Sequence, residues 1–162
     1  MTAAANLLRV LSIDGTPMEI PVRHLADRDF DSANLARADL RGQHLEGGNF
    51  ADALMDDVNL SGVDCHGASF YRARMHRASM KAGVFCAADF QLADLRDADI
   101  RNADFSSPVG VVSTDLSHAD LSGVLWEGAT FTGAKYDSGT IFPEDFDPVA
   151  LGMAFADEAH DK

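Results

Sequence analysis

The chain has two cysteines in 162 residues, too few for the disulfide framework of a small secreted domain. No apolar run approaches 18 residues, so no membrane-spanning helix is expected. No basic-then-apolar leader precedes the ordered pattern, and a cytoplasmic location is the expectation that follows. Positive charge is scarce: 13 Lys and Arg stand against 26 Asp and Glu, a net charge of −13. A chain with that balance is a poor binder of phosphate backbones, and no direct nucleic-acid contact is expected. No P-loop, glycine-rich dinucleotide turn, HExxH or CxxC pattern occurs, so no cofactor and no catalysis are expected.

What is present is a period of five. Phe30, Leu35, Leu40, Leu45, Phe50, Met55, Leu60, Cys65, Phe70, Met75, Met80, Phe85, Phe90, Leu95, Ile100 and Phe105 are evenly spaced. After a slip of one residue the series continues at Leu116, Leu121, Trp126, Phe131 and Tyr136. With 46% apolar residues overall, so long a series would arise by chance about once in 10⁷. Ala, Gly or Val lies two residues before nearly every centre; Arg28, Gln43 and Thr114 are the exceptions.

Neither regular element satisfies this period. Five steps around an α-helix smear the stripe around the cylinder, and along a strand they alternate faces. A chain that turns a corner every five residues satisfies it, because four corners close a ring of twenty. Positions twenty apart then stack in columns. The first reads Phe30, Phe50, Phe70, Phe90, Val111 and Phe131; the second Leu35, Met55, Met75, Leu95, Leu116 and Tyr136. The third is Leu40, Leu60, Met80, Ile100 and Leu121, and the fourth Leu45, Cys65, Phe85, Phe105 and Trp126. Asp or Asn precedes twelve centres, where its side chain is expected to bond nearby turn backbone.

Segments such as AlaAspLeuArgGly (38–42), AlaAspLeuArgAsp (93–97) and AlaAspLeuSerGly (119–123) resemble the pentapeptide-repeat family. The resemblance implies an all-β fold, a right-handed quadrilateral parallel β-helix of about five to six coils. It covers residues 28–136. Residues 1–27 are expected to form an N-terminal cap, either as a hairpin of Leu7–Ile13 with Met18–Val22 or with a helix over Ala3–Leu11. Residues 137–162 are expected to hold a short C-terminal cap and an acidic tail, since 136–148 also looks like the ending common in this family. The slip within 106–113 reads most simply as a tolerated bulge, against the sharper reading of a recognition loop. Val149–His160 reads as a short amphipathic helix.

Function is then sought on the outside, because the shaft is filled. The fourth wall carries Glu46, Asp64, Asp104, Glu127, Asp145 and Asp147 without Lys or Arg, a candidate stripe for a basic protein partner. Tyr71, Leu92 and Val112 are expected to gather on the first wall as an apolar patch. Val149, Met153 and Phe155 are candidates for a homodimer contact. Between Cys65 and Ala88 there is no acid, and Arg72, Arg74, Arg77 and Lys81 form a basic belt. His44 and His66 lie near Asp64, but solvated surface side chains are favoured there over metal ligation. Cys86 is outward with nothing nearby to lower its pKa.

The leading expectation is a non-catalytic protein–protein interaction module. The alternative, implied by resemblance to the quinolone-resistance branch of the family, is a DNA-mimicking modulator of DNA gyrase or a related topoisomerase. The coil carries sixteen acids against ten bases over a rod of roughly 26 Å. That is about a third of the charge density of duplex DNA, so mimicry by one wall remains open and mimicry by the whole rod does not.

Overall fold

The structure, a computed structural model, describes residues 7–11, 17–21, 25–107 and 110–156. No helix occurs among the described residues. From Asp29 onward the chain forms parallel bridges between residues twenty apart, such as Asp29 with Asn49, Asn34 with Leu54, Asp39 with Asn59 and His44 with Asp64. Four bridges recur per ring, one on each side. The architecture is therefore a four-sided parallel β-helix, as the five-residue period requires.

Each repeat has the same local build. The centre and the small residue two before it point inward, and the residue between them faces out. At Met55 the N–H donates to the carbonyl of Arg74 in the next ring (2.7 Å), while the Leu54 N–H donates back to Ala33 (2.9 Å). The corner is closed by a four-residue β-turn, as where the Ala33 N–H reaches the Phe30 carbonyl at 2.9 Å. The second corner residue lies in the left-handed region, whether it is Gly or a side-chain-bearing residue such as Arg72 (φ 56°) or Leu92 (φ 60°). All twelve Asp and Asn residues that precede a centre accept the backbone N–H two positions on, between 2.9 and 3.4 Å. These side-chain bonds hold the corners, as expected from composition.

The shaft is packed solid. Phe30, Phe50, Phe70 and Phe90 stack with centroids 5.0, 5.0 and 4.8 Å apart and nearly parallel planes. Phe85 meets Phe70 and Phe90 edge-on, at 6.1 and 5.7 Å. Its ring also explains Gly83, where a Cβ would come within 2.6 Å of the Phe85 ring. Cys65 is fully buried and Cys86 half-buried, and both are free thiols.

The register beyond Phe105 differs from the one-residue slip. Asp89 bridges Asp115, Asp94 bridges Asp120, Asp99 bridges Leu125 and Asp104 bridges Thr130, all offset by 26 rather than 20. Six extra residues leave the coil as a loop, and every later column moves by one side. Leu116 stacks above Phe90, Leu121 above Leu95 and Trp126 above Ile100, while Phe131 covers Phe105 at 5.2 Å. Val111 is not in the Phe column; it is 56% exposed. An apolar residue happened to stand where a one-residue slip would need one.

The ends also correct or refine expectation. β1 (Leu7–Leu11) pairs antiparallel with β2 (Pro17–Pro21), which selects strand over helix for residues 7–11. The rest of the helical alternative, residues 3–6, lies outside the described residues. The helix expected over Val149–His160 is absent from its described part, 149–156. Asp147 Oδ1 accepts the N–H groups of Val149 and Ala150 and starts one turn. Gly152, at φ +74°, ends it. The chain then runs as β4 (Ala154–Phe155), parallel to β3 (Lys135–Tyr136). Residues 157–160 of that segment lie outside the described residues.

Phe70 is enclosed by aromatic rings on both sides of its column and from the neighbouring one. Phe70→Ala is expected to lose about 3–5 kcal/mol of unfolding free energy, measured by urea denaturation, because a cavity mid-stack has no mobile neighbour to fill it.

Candidate functional site

The six-residue loop leaves the corner between the fourth and first sides, and its base is built from two small polar residues. Ser107 and Thr114 are buried. The Thr114 N–H donates to Ser107 Oγ at 2.7 Å, and the Thr114 hydroxyl donates to the Phe85 carbonyl at 3.1 Å. The same hydroxyl accepts the Ala87 N–H at 2.9 Å, replacing the carbonyl that an ordinary ring would have supplied. Thr114 thus occupies the small-residue slot and repairs the hydrogen bonding that the excursion breaks. Its departure from Ala, Gly or Val was visible in the sequence.

Val111, on this loop, walls a groove of about 550 Å³ on the fourth side. Its floor and rim are Glu46, Asp64, His66, Val84, Cys86 and Ala87. Of the acidic stripe, Glu46, Asp64 and Asp104 do share this side, since His44 bridges Asp64 and Val84 bridges Asp104. Asp104 is occupied, accepting from the Ser106 N–H at 2.9 Å and from the Thr130 hydroxyl at 2.7 Å. Glu127 does not belong to the stripe. Its carbonyl accepts the Asn102 N–H, which puts it at the corner after the third side. Asp145 and Asp147 lie beyond the coil, flanking Phe146, which sits edge-on against Trp126 and Phe131 at 5.0 and 5.1 Å.

The expected apolar patch is divided. Tyr71 and Leu92 share the corner after the first side, where the Arg72 N–H meets the Gln91 carbonyl; the residue above Leu92 is His118. Val112, 74% exposed, belongs to the loop at the preceding corner. Among the dimer candidates, Met153 is only 8% exposed and is part of the core, whereas Val149 and Phe155 remain on the surface.

The basic belt is matched by acids from the adjoining rings. Arg72 pairs with Asp52 (3.1 Å), Arg74 with Asp56 (2.6 Å), Arg77 with Asp57 (2.8 Å) and Lys81 with Asp99 (2.9 Å). Hydrogen bonding by Arg101, helped by Lys81, holds the Asp99 carboxyl far below the usual carboxylate range. Hydrogen bonding by Arg96 at 2.6 Å also lowers the Asp94 carboxyl from its ordinary value. Exposed pairs of this kind contribute little each, but they set an acid beside every Arg and Lys of the belt.

Two groups bear on reactivity. Burial, with Asp104 beside it, pushes the Cys86 thiol up, so it is not an activated nucleophile. The Glu46 carboxyl is held below its ordinary value by its own backbone N–H and then by His44, despite an opposing contribution from burial. His44 Nδ1 lies 3.1 Å from Glu46 Oε1. The Glu46 carboxyl of the groove therefore carries negative charge at neutral pH.

With this geometry in hand, comparison with known proteins is direct. The chain matches the family described as "Pentapeptide repeats (8 copies)" over residues 33–64, 49–85, 68–106 and 112–135, and it belongs to that family. Pentapeptide-repeat proteins are right-handed quadrilateral β-helices. Among solved structures it is similar to alr5209, a pentapeptide repeat protein from Nostoc PCC 7120, at 30% identity. That alignment covers 80% of this chain and 85% of the other, with a TM-score of 0.44. It is also similar to AT2G44920 from the Arabidopsis thaliana thylakoid lumen (23% identity, 78% and 72% covered, TM-score 0.36). QnrB1, a plasmid-mediated fluoroquinolone resistance protein, shares 19% identity over 85% and 86% of the two chains, with a TM-score of 0.47. No curated protein sequence matches the chain. No helix among the described residues is long and apolar enough to cross a membrane.

Thr114→Val keeps the volume of the slot but removes the hydroxyl. The Ala87 N–H is then buried without an acceptor, and the expected loss is about 1–3 kcal/mol by chemical denaturation.

Proposed function

We propose that this protein is a non-catalytic interaction module, a rigid rod that docks a protein partner on its fourth side. One observation carries the reading: the loop after Ser107 stands over an otherwise regular wall and makes a groove there. Its floor is apolar at Val84 and Ala87, and its rim is acidic at Glu46 and Asp64. The shaft itself is filled by side chains and offers no internal chamber. Proteins of this family are in general structural or interaction modules. The partner segment that fits has an apolar side chain for the floor and basic residues for the rim. In this reading residues 1–27 and 137–162 act as end caps to the coil 28–136, and Val149 and Phe155 are the surface for any self-association. The setting proposed is the cytoplasm.

The test compares capture from nuclease-treated lysate by the wild type, by Asp64→Asn and by a chain in which 108–113 is replaced with a short glycine linker. Asn at 64 keeps the oxygen that accepts the His66 N–H, now at 3.1 Å, so folding is preserved while one charge is lost. A saturable, stoichiometric protein captured by the wild type and weakened in both variants is the expected outcome. Equal capture by all three would remove the groove from the account.

A second reading, a DNA-mimicking modulator of DNA gyrase or a related topoisomerase, has one observation in its favour. Arg72, Arg74 and Arg77 pair with Asp52, Asp56 and Asp57 of the ring before, and Lys81 shares Asp99 with Arg101, so the three arginines interrupt the acidic surface less than their sequence position suggested. Against it, the acidic side is shorter than the sequence implied, because Glu127, Asp145 and Asp147 lie elsewhere. This reading expects inhibition or protection in a gyrase supercoiling assay at micromolar protein, with and without a quinolone, and no effect would end it.

A further inference from the structure

The fourth side holds a second arrangement with its own chemistry. His44-Leu45-Glu46 and Asp64-Cys65-His66 lie on successive rings in register, with His44 bridged to Asp64 and Glu46 next to His66. The two imidazoles and two carboxylates therefore stand at alternate corners of a small square. Donor atoms of His44, Glu46 and Asp64 come within 4.8 Å of one another. Ligand atoms around one tetrahedral Zn²⁺ at about 2.0–2.2 Å lie roughly 3.3–3.6 Å apart. Rotation of the exposed His44 side chain toward the two half-buried carboxylates narrows that difference.

An independent feature points to a missing partner. Glu46 Oε1 meets His44 Nδ1, but Glu46 Oε2 is shut off from solvent and has no hydrogen-bond partner. A carboxylate oxygen left in that state is costly unless something positive meets it. No Lys or Arg forms an ion pair with Glu46 or Asp64 among the described residues, so no side-chain cation competes for the place. The site offers carboxylate oxygens and imidazole nitrogens, the donor types that first-row ions take.

We infer that His44, Glu46 and Asp64 form a binding site for a divalent first-row transition metal of the Zn²⁺ type, with His66 beside it. Mixed imidazole and carboxylate donors select Zn²⁺, Ni²⁺ or Cu²⁺ over Mg²⁺, which prefers oxygen alone. The ion ties two successive rings together at the foot of the groove. The inference does not rest on the docking reading, and it is read without any partner present.

Titration calorimetry of the full chain with ZnCl₂ is the test, supported by the visible spectrum of the Co²⁺ form. One Zn²⁺ per chain is expected. His44→Ala and Glu46→Gln should each weaken binding at least about tenfold, and excess Mg²⁺ should not displace the metal. His118→Ala, whose ring pairs instead with Asp137, should bind as the wild type. Thermal melts without metal establish that each variant folds. Absence of binding, binding unchanged in His44→Ala or Glu46→Gln, or displacement by Mg²⁺ at comparable concentration would each overturn the assignment.

Discussion

Everything in this molecule depends on the hydrogen-bonded stacking of one ring on the next around a filled shaft. A single five-residue side has no partner for its own N–H and C=O groups and no second layer against which to bury its centre. Stacking meets both needs together: the Met55 N–H finds Arg74, the Leu54 N–H finds Ala33, and the Phe rings meet face to face in the same step. Because each ring satisfies its neighbours, the backbone is rigid without long strands, and the corners tolerate left-handed residues as bulky as Leu92. Rigidity of that kind suits a surface that presents side chains at fixed intervals.

The outer surface is where this regularity has consequences for binding. Side chains twenty residues apart are neighbours, so a charge pattern that looks alternating along the chain becomes a pattern across rings. Arg72, Arg74 and Arg77 appear as an uninterrupted basic stretch only when the chain is read linearly. Folded, each stands next to an acid from the ring before it. The converse holds for His44, Glu46 and Asp64, which are spread over two repeats and become one cluster.

The loop after Ser107 is the main departure from regularity, and it shows how a solenoid changes one wall without losing its core. The break is contained by Ser107 and Thr114, whose hydroxyls stand in for lost backbone partners. Above that junction the columns continue in register with the shaft intact, while the loop gives the fourth side a wall that the other sides do not have in this form. Glu127 leaves that side for the same reason, since every residue after the loop is carried around by a quarter turn.

The square coil, its inward Phe column, the small residues beside each centre and the Asp and Asn corner bonds all followed from a period of five, because each depends only on spacing within one ring. The register after Phe105 did not follow. A one-residue bulge and a six-residue loop both bring Leu116 and the centres after it back inside, and only bridges such as that from Asp104 to Thr130 decide between them. The C-terminal turn departs from expectation for a related reason: Val149 and Met153 are one helical turn apart, but parallel pairing of Ala154 and Phe155 with Lys135 and Tyr136 is a stronger claim on that backbone. Local periodicity states which side chains must be inside. Which outside residues become neighbours is set by how many residues separate one ring from the next, and that number belongs to the assembled stack.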